Sequence, residues 1–131
     1  MKKDIEIPKV TGVEIAVVLE TNEIDNKEDW NVYILNKKDV DLEMVVIVSQ
    51  GFSDTKTTSV FRRKIDKLPA NSYQKFELMQ PELFDLDNRF QVTFFENNRL
   101  HDKTFIFQAE TIQEGFLRDI EFLGKRGIVC K

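Results

Sequence analysis

The stretch RFQVTFFENNRLHDKTFIFQ (residues 89–108) decides the fold of this chain. Apolar residues alternate with polar ones on both sides of Asn97-Asn98, and two such runs around a short turn predict a β-hairpin. Asparagine tolerates positive φ at low cost, which suits a two-residue turn. In this register Phe94 faces His101 across the hairpin. One side of the hairpin is then lined by Phe90, Val92, Phe94, Phe105 and Phe107.

Shorter alternating runs recur through the first part of the chain. The further strand candidates are residues 10–20, 30–37, 42–50, 59–65 and 73–79. Several short strands separated by turn residues are typical of an antiparallel sandwich. We therefore predict a single all-β domain over Met1–Lys131, an antiparallel immunoglobulin-like β-sandwich of about seven strands.

Residues 59–65 differ from the other strand candidates in their charge. Val60 and Ile65 favour a strand, but Arg62-Arg63-Lys64 places charge on both of its faces. A central strand of a sandwich is apolar on at least one face, so this pattern indicates an edge strand. We predict that these three residues either form an interaction edge for an acidic partner or prevent uncontrolled edge-to-edge association.

The C-terminal segment allows more than one interpretation. Thr111-Ile112-Gln113-Glu114 matches a capping box, and Phe116, Leu117, Ile120 and Leu123 follow at helical spacing before Gly124. This pattern predicts a short C-terminal helix. The same apolar residues also fit an irregular segment across the end of the sandwich, and residues 127–129 could add a last strand.

Composition and charge exclude several functional classes. The 19 basic and 23 acidic residues give a net charge of −4, which argues against a nucleic-acid partner. Apolar runs such as residues 44–48 are far shorter than the ~20 residues that span a bilayer, so no membrane partner is expected. No apolar secretory signal follows the charged start of the chain, and Cys130 is the only cysteine. These features predict a cytoplasmic protein.

No pattern predicts a catalytic, cofactor-binding or metal-binding site. GFSDTKT (residues 51–57) places a glycine before a Lys-Thr pair, but the second glycine of a phosphate-binding loop is absent and no helix follows. His101 is the sole histidine, so a His cluster for a transition metal is impossible. Acidic loops such as residues 25–29 lack the glycine and distal glutamate of an EF-hand loop. We expect no enzyme activity and no cofactor.

Residues 30–36, 42–51 and 92–95 resemble a family of short uncharacterised bacterial β-sandwich proteins. Some members of that family carry the label phenylalanyl-tRNA synthetase alpha subunit, and this label implies aminoacylation. Class II synthetases bind ATP through a motif arginine. The sequence context of that motif is not found around any of four arginines, Arg62, Arg63, Arg89 and Arg99. The resemblance therefore implies no site residues for this chain.

Two functions follow from these observations. The first is a non-catalytic protein-interaction module that uses its loops or an edge strand, because antiparallel sandwiches carry binding sites on loops held by a rigid scaffold. The alternative is a small-molecule or anion-binding protein that uses Arg62, Arg63 and the loop of residues 51–58. Separately, Arg62-Arg63-Lys64 could form a patch with Lys67 and Lys75 for an anion or an acidic partner. An enzyme ranks third.

Overall fold

A computed structural model describes residues 10–131 of the chain. Within these residues the structure is all-β, with nine strands and two single-turn 3-10 helices, Pro81–Leu83 and Glu114–Phe116. The strands are β1 (Val13–Thr21), β2 (Glu28–Asn36), β3 (Leu42–Phe52), β4 (Phe61–Leu68), β5 (Ser72–Met79), β6 (Asp87–Glu96), β7 (Arg99–Phe107), β8 (Arg118–Ile120) and β9 (Lys125–Cys130).

The strands form two antiparallel sheets around one core. The five-stranded sheet has the order β5-β2-β1-β9-β8, and the four-stranded sheet has the order β4-β3-β6-β7. The core between them takes side chains from both sheets; its largest fully buried members include Phe90, Phe94, Phe105, Ile15, Ile34, Leu42 and Ile47. Each buried aromatic side chain removes about 150–250 Å² from water. The prediction of an all-β antiparallel architecture is confirmed.

The predicted hairpin forms in the predicted register. Strands β6 and β7 pair residue by residue, with Phe94 opposite His101. Asn97 and Asn98 both have positive φ, at 52° and 61°, and form the two-residue connection. A turn of this kind matches the right-handed twist of the flanking strands. The local sequence therefore determines this part of the fold.

A basic side chain lies on the core-facing side of this hairpin. Lys103 is opposite Val92 in the register. Its ammonium lies 4.9 Å from the centroid of the Phe105 ring and donates a hydrogen bond to the carbonyl oxygen of Val10 at 3.3 Å. A cation–π contact and a backbone acceptor thus accommodate the charge at the rim of the sandwich.

The five-stranded sheet carries a second apolar cluster on its outer face. The buried members of this cluster are Ala16, Val18, Tyr33, Leu35, Ile120 and Leu123, with Phe122 and Val129 packed against them. The turn between β8 and β9 therefore covers part of the outer face of β1 and β2. Gly127 in β9 permits this cover, because a Cβ at that position would lie 2.6 Å from the carbonyl oxygen of Val17 and 2.8 Å from Cδ1 of Ile120.

The predicted C-terminal helix is wrong. The segment forms the 3-10 turn Glu114–Phe116 and strand β8, and β9 follows. Thr111 caps no helix, since its hydroxyl donates a hydrogen bond to the carbonyl of Gln108. Strand pairing prevails because β9 pairs with the free edge of β1 while Ile120 covers the outer apolar face. The alternative of a last strand at residues 127–129 is confirmed, and the described residues contain nine strands instead of about seven.

Candidate interaction edge

The charged strand predicted from residues 59–65 is an edge strand. It corresponds to β4, which lies at the end of the four-stranded sheet and pairs with β3. Within residues 10–131 no strand pairs with its other side. Ile65 and Leu68 are its buried residues and anchor it to the core. Backbone N–H and C=O groups along the outer side of such a strand are available for pairing with another chain.

The basic run Arg62-Arg63-Lys64 of β4 points to both sides of the sheet. Directly opposite residues of an antiparallel pair point to the same face. Arg62 is opposite Val48 and therefore lies on the outer face. Lys64 lies on that face as well, opposite Val46. Arg63 is opposite Ile47, a core residue, and thus lies on the inner side, towards the five-stranded sheet.

The charge of β4 is largely uncompensated. Arg62, Arg63 and Lys64 are exposed, and none forms an ion pair within 4.0 Å among the described residues. Lys67 lies 3.9 Å from Asp41, and both side chains are exposed to solvent. Exposed ion pairs of this kind contribute little to the stability of the fold. The edge therefore presents a stripe of positive charge on a protein whose net charge is −4.

A cleft of about 830 Å³ lies beside β4 and brings together two of the predicted cations, Arg63 and Lys75. Its lining consists of Glu20, Thr21, Asn22, Glu23, Ile24, Asp29, Asn31, Arg63, Lys75, Phe76, Glu77, Leu78 and Lys125. Strand β5 is the edge strand of the other sheet, so the cleft adjoins two sheet edges. Arg62 and Lys64 do not line it, because they point to the opposite face.

A hydrogen-bonded carboxylate lies in this cleft. Glu20 accepts hydrogen bonds from the hydroxyl of Tyr33 at 2.6 Å and the amide of Asn31 at 2.9 Å, and it pairs with Lys125 at 3.1 Å. Burial raises the pKa of Glu20, but these three donors outweigh it and hold the pKa below its ordinary value. Burial and the bond to Glu20 raise the pKa of Tyr33. This group could not be predicted from the sequence, because Lys125 is remote from Glu20 along the chain.

A second carboxyl group lies between the two sheets. Glu77 in β5 accepts a hydrogen bond from the hydroxyl of Ser49 in β3 at 2.6 Å. Burial raises the pKa of Glu77, and the bond from Ser49 opposes that rise only in part. Glu77 and Ser49 also line a smaller cavity of about 180 Å³. Glu77 forms no ion pair within 4.0 Å in the described part of the chain.

The loop of residues 51–58 does not join the predicted cations. The amide of Ser53 donates to the carbonyl of Lys56 at 2.7 Å, and that of Gly51 donates to the hydroxyl of Thr58 at 2.9 Å. The loop is thus a tight connection that closes on itself. No residue of this loop lines the cleft that holds Arg63. The structure therefore does not assemble the anion site that the alternative function requires from Arg62, Arg63 and this loop.

Another groove, of about 980 Å³, lies on the outer face of the five-stranded sheet, away from β4. Its charged residues include Glu14 and Lys37, which form an ion pair at 3.0 Å. Lys37 also lies over the ring of Phe122, 5.7 Å from its centroid. Glu14 and Lys37 are thus paired with each other, whereas Arg62, Arg63 and Lys64 of β4 form no ion pair within residues 10–131.

Residues 10–131 contain neither a metal-holding cluster nor a membrane-spanning helix. No group of three or more His, Cys, Asp or Glu residues there is arranged to hold a metal ion. No helix in this part of the chain is long and apolar enough to cross a membrane. Comparison of the chain with models of protein families, with curated proteins and with solved structures found no match. The resemblance to the short bacterial family thus stays a prediction.

Proposed function

We propose that this chain is a non-catalytic protein-interaction module that binds an extended, acidic segment of a partner protein along strand β4. The observation that carries the proposal is the edge of β4, which within residues 10–131 has no strand on its outer side and no ion pair at Arg62, Arg63 or Lys64. Main-chain pairing of an added strand to a sheet edge is a recurring mode of peptide recognition. Positive charge on the edge favours acidic segments and disfavours basic ones.

Strand order supports an immunoglobulin-like assignment of this scaffold. In immunoglobulin domains the first, second and fifth strands of the A-to-G series pair in one sheet, and the third, sixth and seventh pair in the other. Here β1-β2-β5 and β3-β6-β7 have those neighbour relations, with β4 beside β3. The hairpin of β8 and β9 is then an addition next to β1. Such scaffolds carry binding on loops and edges.

Strand β4 is a better candidate than the other edges. Strand β8 has only three residues. On β7, the inward Lys103 is engaged with Val10, and Asp102 would repel an acidic segment. Strand β5 carries a single basic residue, Lys75. By contrast β4 carries four basic residues, Arg62, Arg63, Lys64 and Lys67, against one acidic residue, Asp66.

Two further features fit the same function. The sole histidine, His101, is stacked on Phe94 in the hairpin. Its ring is therefore held by packing and not by a contact with a nucleophile. We accordingly propose that the chain is not an enzyme. A single cysteine allows no disulfide within these residues, which favours the reducing cytoplasm as its location.

The test is a titration of the ¹⁵N-labelled chain with a capped eight-residue peptide that alternates glutamate with valine. We expect amide exchange to slow along β4 and binding to weaken as salt is added, because the interaction is partly ionic. The variant Arg62→Glu with Lys64→Glu should lose binding. The matched control, Lys27→Glu with Arg126→Glu, changes the net charge equally at exposed positions outside β4 and should keep it. Protection confined to β5 or β7 would contradict the proposal.

A further inference from the structure

We infer that the 830 Å³ cleft beside β4 is the specificity pocket of this edge and receives an acidic side chain of the added strand. This inference rests on the function proposed above. When a strand is added to a sheet edge, main-chain hydrogen bonds supply affinity and pockets for alternate side chains supply specificity. Successive side chains of the added strand point to opposite faces. Every second one therefore points to the inner side of β4, where Arg63 lies.

Arg63 and Lys75 are the two cations of the cleft lining that form no ion pair within 4.0 Å with an acidic residue of residues 10–131. The third cation of the lining, Lys125, is paired with Glu20. A guanidinium group matches a carboxylate through two parallel hydrogen bonds, so Arg63 is suited to bind an incoming carboxylate.

None of the four acidic residues that line the cleft forms an ion pair with Arg63 or Lys75 within 4.0 Å. Glu20 is held by Tyr33, Asn31 and Lys125. Glu77 accepts its hydrogen bond from Ser49 in the other sheet. A third carboxylate, that of Asp29, accepts a hydrogen bond from the amide of Asn22 at 3.1 Å. The fourth, Glu23, is exposed on the connection between β1 and β2.

The apolar part of the lining narrows the class of side chain. Leu78 and Ile24 line the cleft and are 51% and 96% exposed. Their exposed surface can cover the methylene stem of an incoming side chain while its end pairs with Arg63. Glutamate combines such a stem with a carboxylate. The cleft therefore fits a glutamate of the partner segment.

A double-mutant cycle tests this contact on the full chain. The probe is a capped seven-residue peptide in which threonine and valine flank one central glutamate, and its counterpart carries glutamine at that position. We expect Arg63→Gln, or the glutamine peptide with the unchanged protein, to weaken binding by about tenfold. Both changes together should weaken binding no more than either alone. Arg63→Lys should restore part of the affinity, because it keeps the charge but not the two-pronged geometry.

The control cycle uses Arg62→Gln, because Arg62 is exposed on the same strand but points to the outer face. We expect its effect to be the same with either peptide. If the peptide protects β4 amides but couples to Arg62, or if both peptides bind equally, the pocket is wrong while the edge proposal stands. If the peptide protects no amide of β4, both are wrong.

Discussion

Phe94 and His101 are stacked across the β6–β7 hairpin, with their ring centroids 5.2 Å apart and their planes inclined by 13°. The two residues are directly opposite in the strand register. Phe94 is fully buried, and His101 lies over it towards the solvent. Cross-strand aromatic pairs contribute roughly 0.2–1 kcal/mol relative to a pair of alanines. The stack thus joins the end of the hairpin to the core.

The first prediction concerns the core residue of that pair. Phe94→Ala should lower the free energy of unfolding by about 3–5 kcal/mol, because the ring is fully buried and its removal leaves a cavity. Urea unfolding followed by tryptophan fluorescence measures the change. Leu100→Ala is the control, since Leu100 in the same hairpin is 62% exposed, and its effect should stay within about 0.5 kcal/mol. A loss below ~1 kcal/mol for Phe94→Ala would contradict the register.

The second prediction concerns the packing of β9 beneath Ile120. Gly127→Ala should destabilise the fold by about 1–3 kcal/mol, because the new methyl group meets a backbone carbonyl as well as a side chain. Gly115→Ala is the matched control, since nothing lies within 4 Å of a Cβ at that position. Thermal unfolding of both variants measures the difference. Equal melting temperatures would show that β9 does not approach β1 and β8 as closely as described.

The hairpin and the edge strand could be predicted from the sequence because their signals are local. Alternation of period two around Asn97-Asn98 determines the register without reference to the rest of the chain. Charge on both faces of β4 identifies an edge for the same reason. The C-terminal segment could not be assigned, because Ile120 and Leu123 satisfy helical spacing as well as the need to cover Ala16 and Val18.

Only part of the candidate site could be predicted from the sequence. The sequence indicates Arg62, Arg63 and Lys64 as a group, but the direction of each side chain follows from the pairing of β4 with β3. The cleft combines β5 and the end of the β1–β2 hairpin with Arg63, and only tertiary structure brings these elements together. Its acidic group could not be anticipated, since no motif connects Glu20 with Lys125.

The third prediction concerns the pH dependence of stability at Glu20. Although burial raises its pKa, its donors hold the pKa below the ordinary 4.5. Folding therefore favours the ionised form, and this contribution is present above pH 4.5 and lost as the pH falls through the lower, folded pKa. Glu20→Gln should thus be less stable than the unchanged protein at pH 7, and the gap should narrow in acid. Urea unfolding between pH 3 and pH 8 measures the gap.

Glu77 supplies the opposite control for that experiment. Burial raises its pKa above 4.5, so folding favours the protonated form. Its contribution is fully present below pH 4.5 and is lost as the pH rises through the folded pKa. Glu77→Gln keeps an acceptor for Ser49, so it should be more stable than the unchanged protein at pH 7 and lose that advantage in acid. Parallel slopes for the two variants would contradict the described environments.

The last prediction concerns self-association through the edge. Arg62→Val with Arg63→Val removes charge from both faces of β4 and leaves a strand with a free side and added β propensity. Since charged residues on an edge oppose pairing with a second copy, we expect association between copies to strengthen by about tenfold or more, which is equivalent to about 1.4 kcal/mol. The far-ultraviolet circular dichroism spectrum should not change, because both side chains are exposed. Sedimentation velocity over a range of concentrations measures the association, with Lys27→Val and Arg126→Val as a control that removes equal charge outside β4. If the β4 variant, the control and the unchanged protein sediment alike at every concentration, the edge is not accessible. That result would contradict the proposal that β4 binds the partner strand.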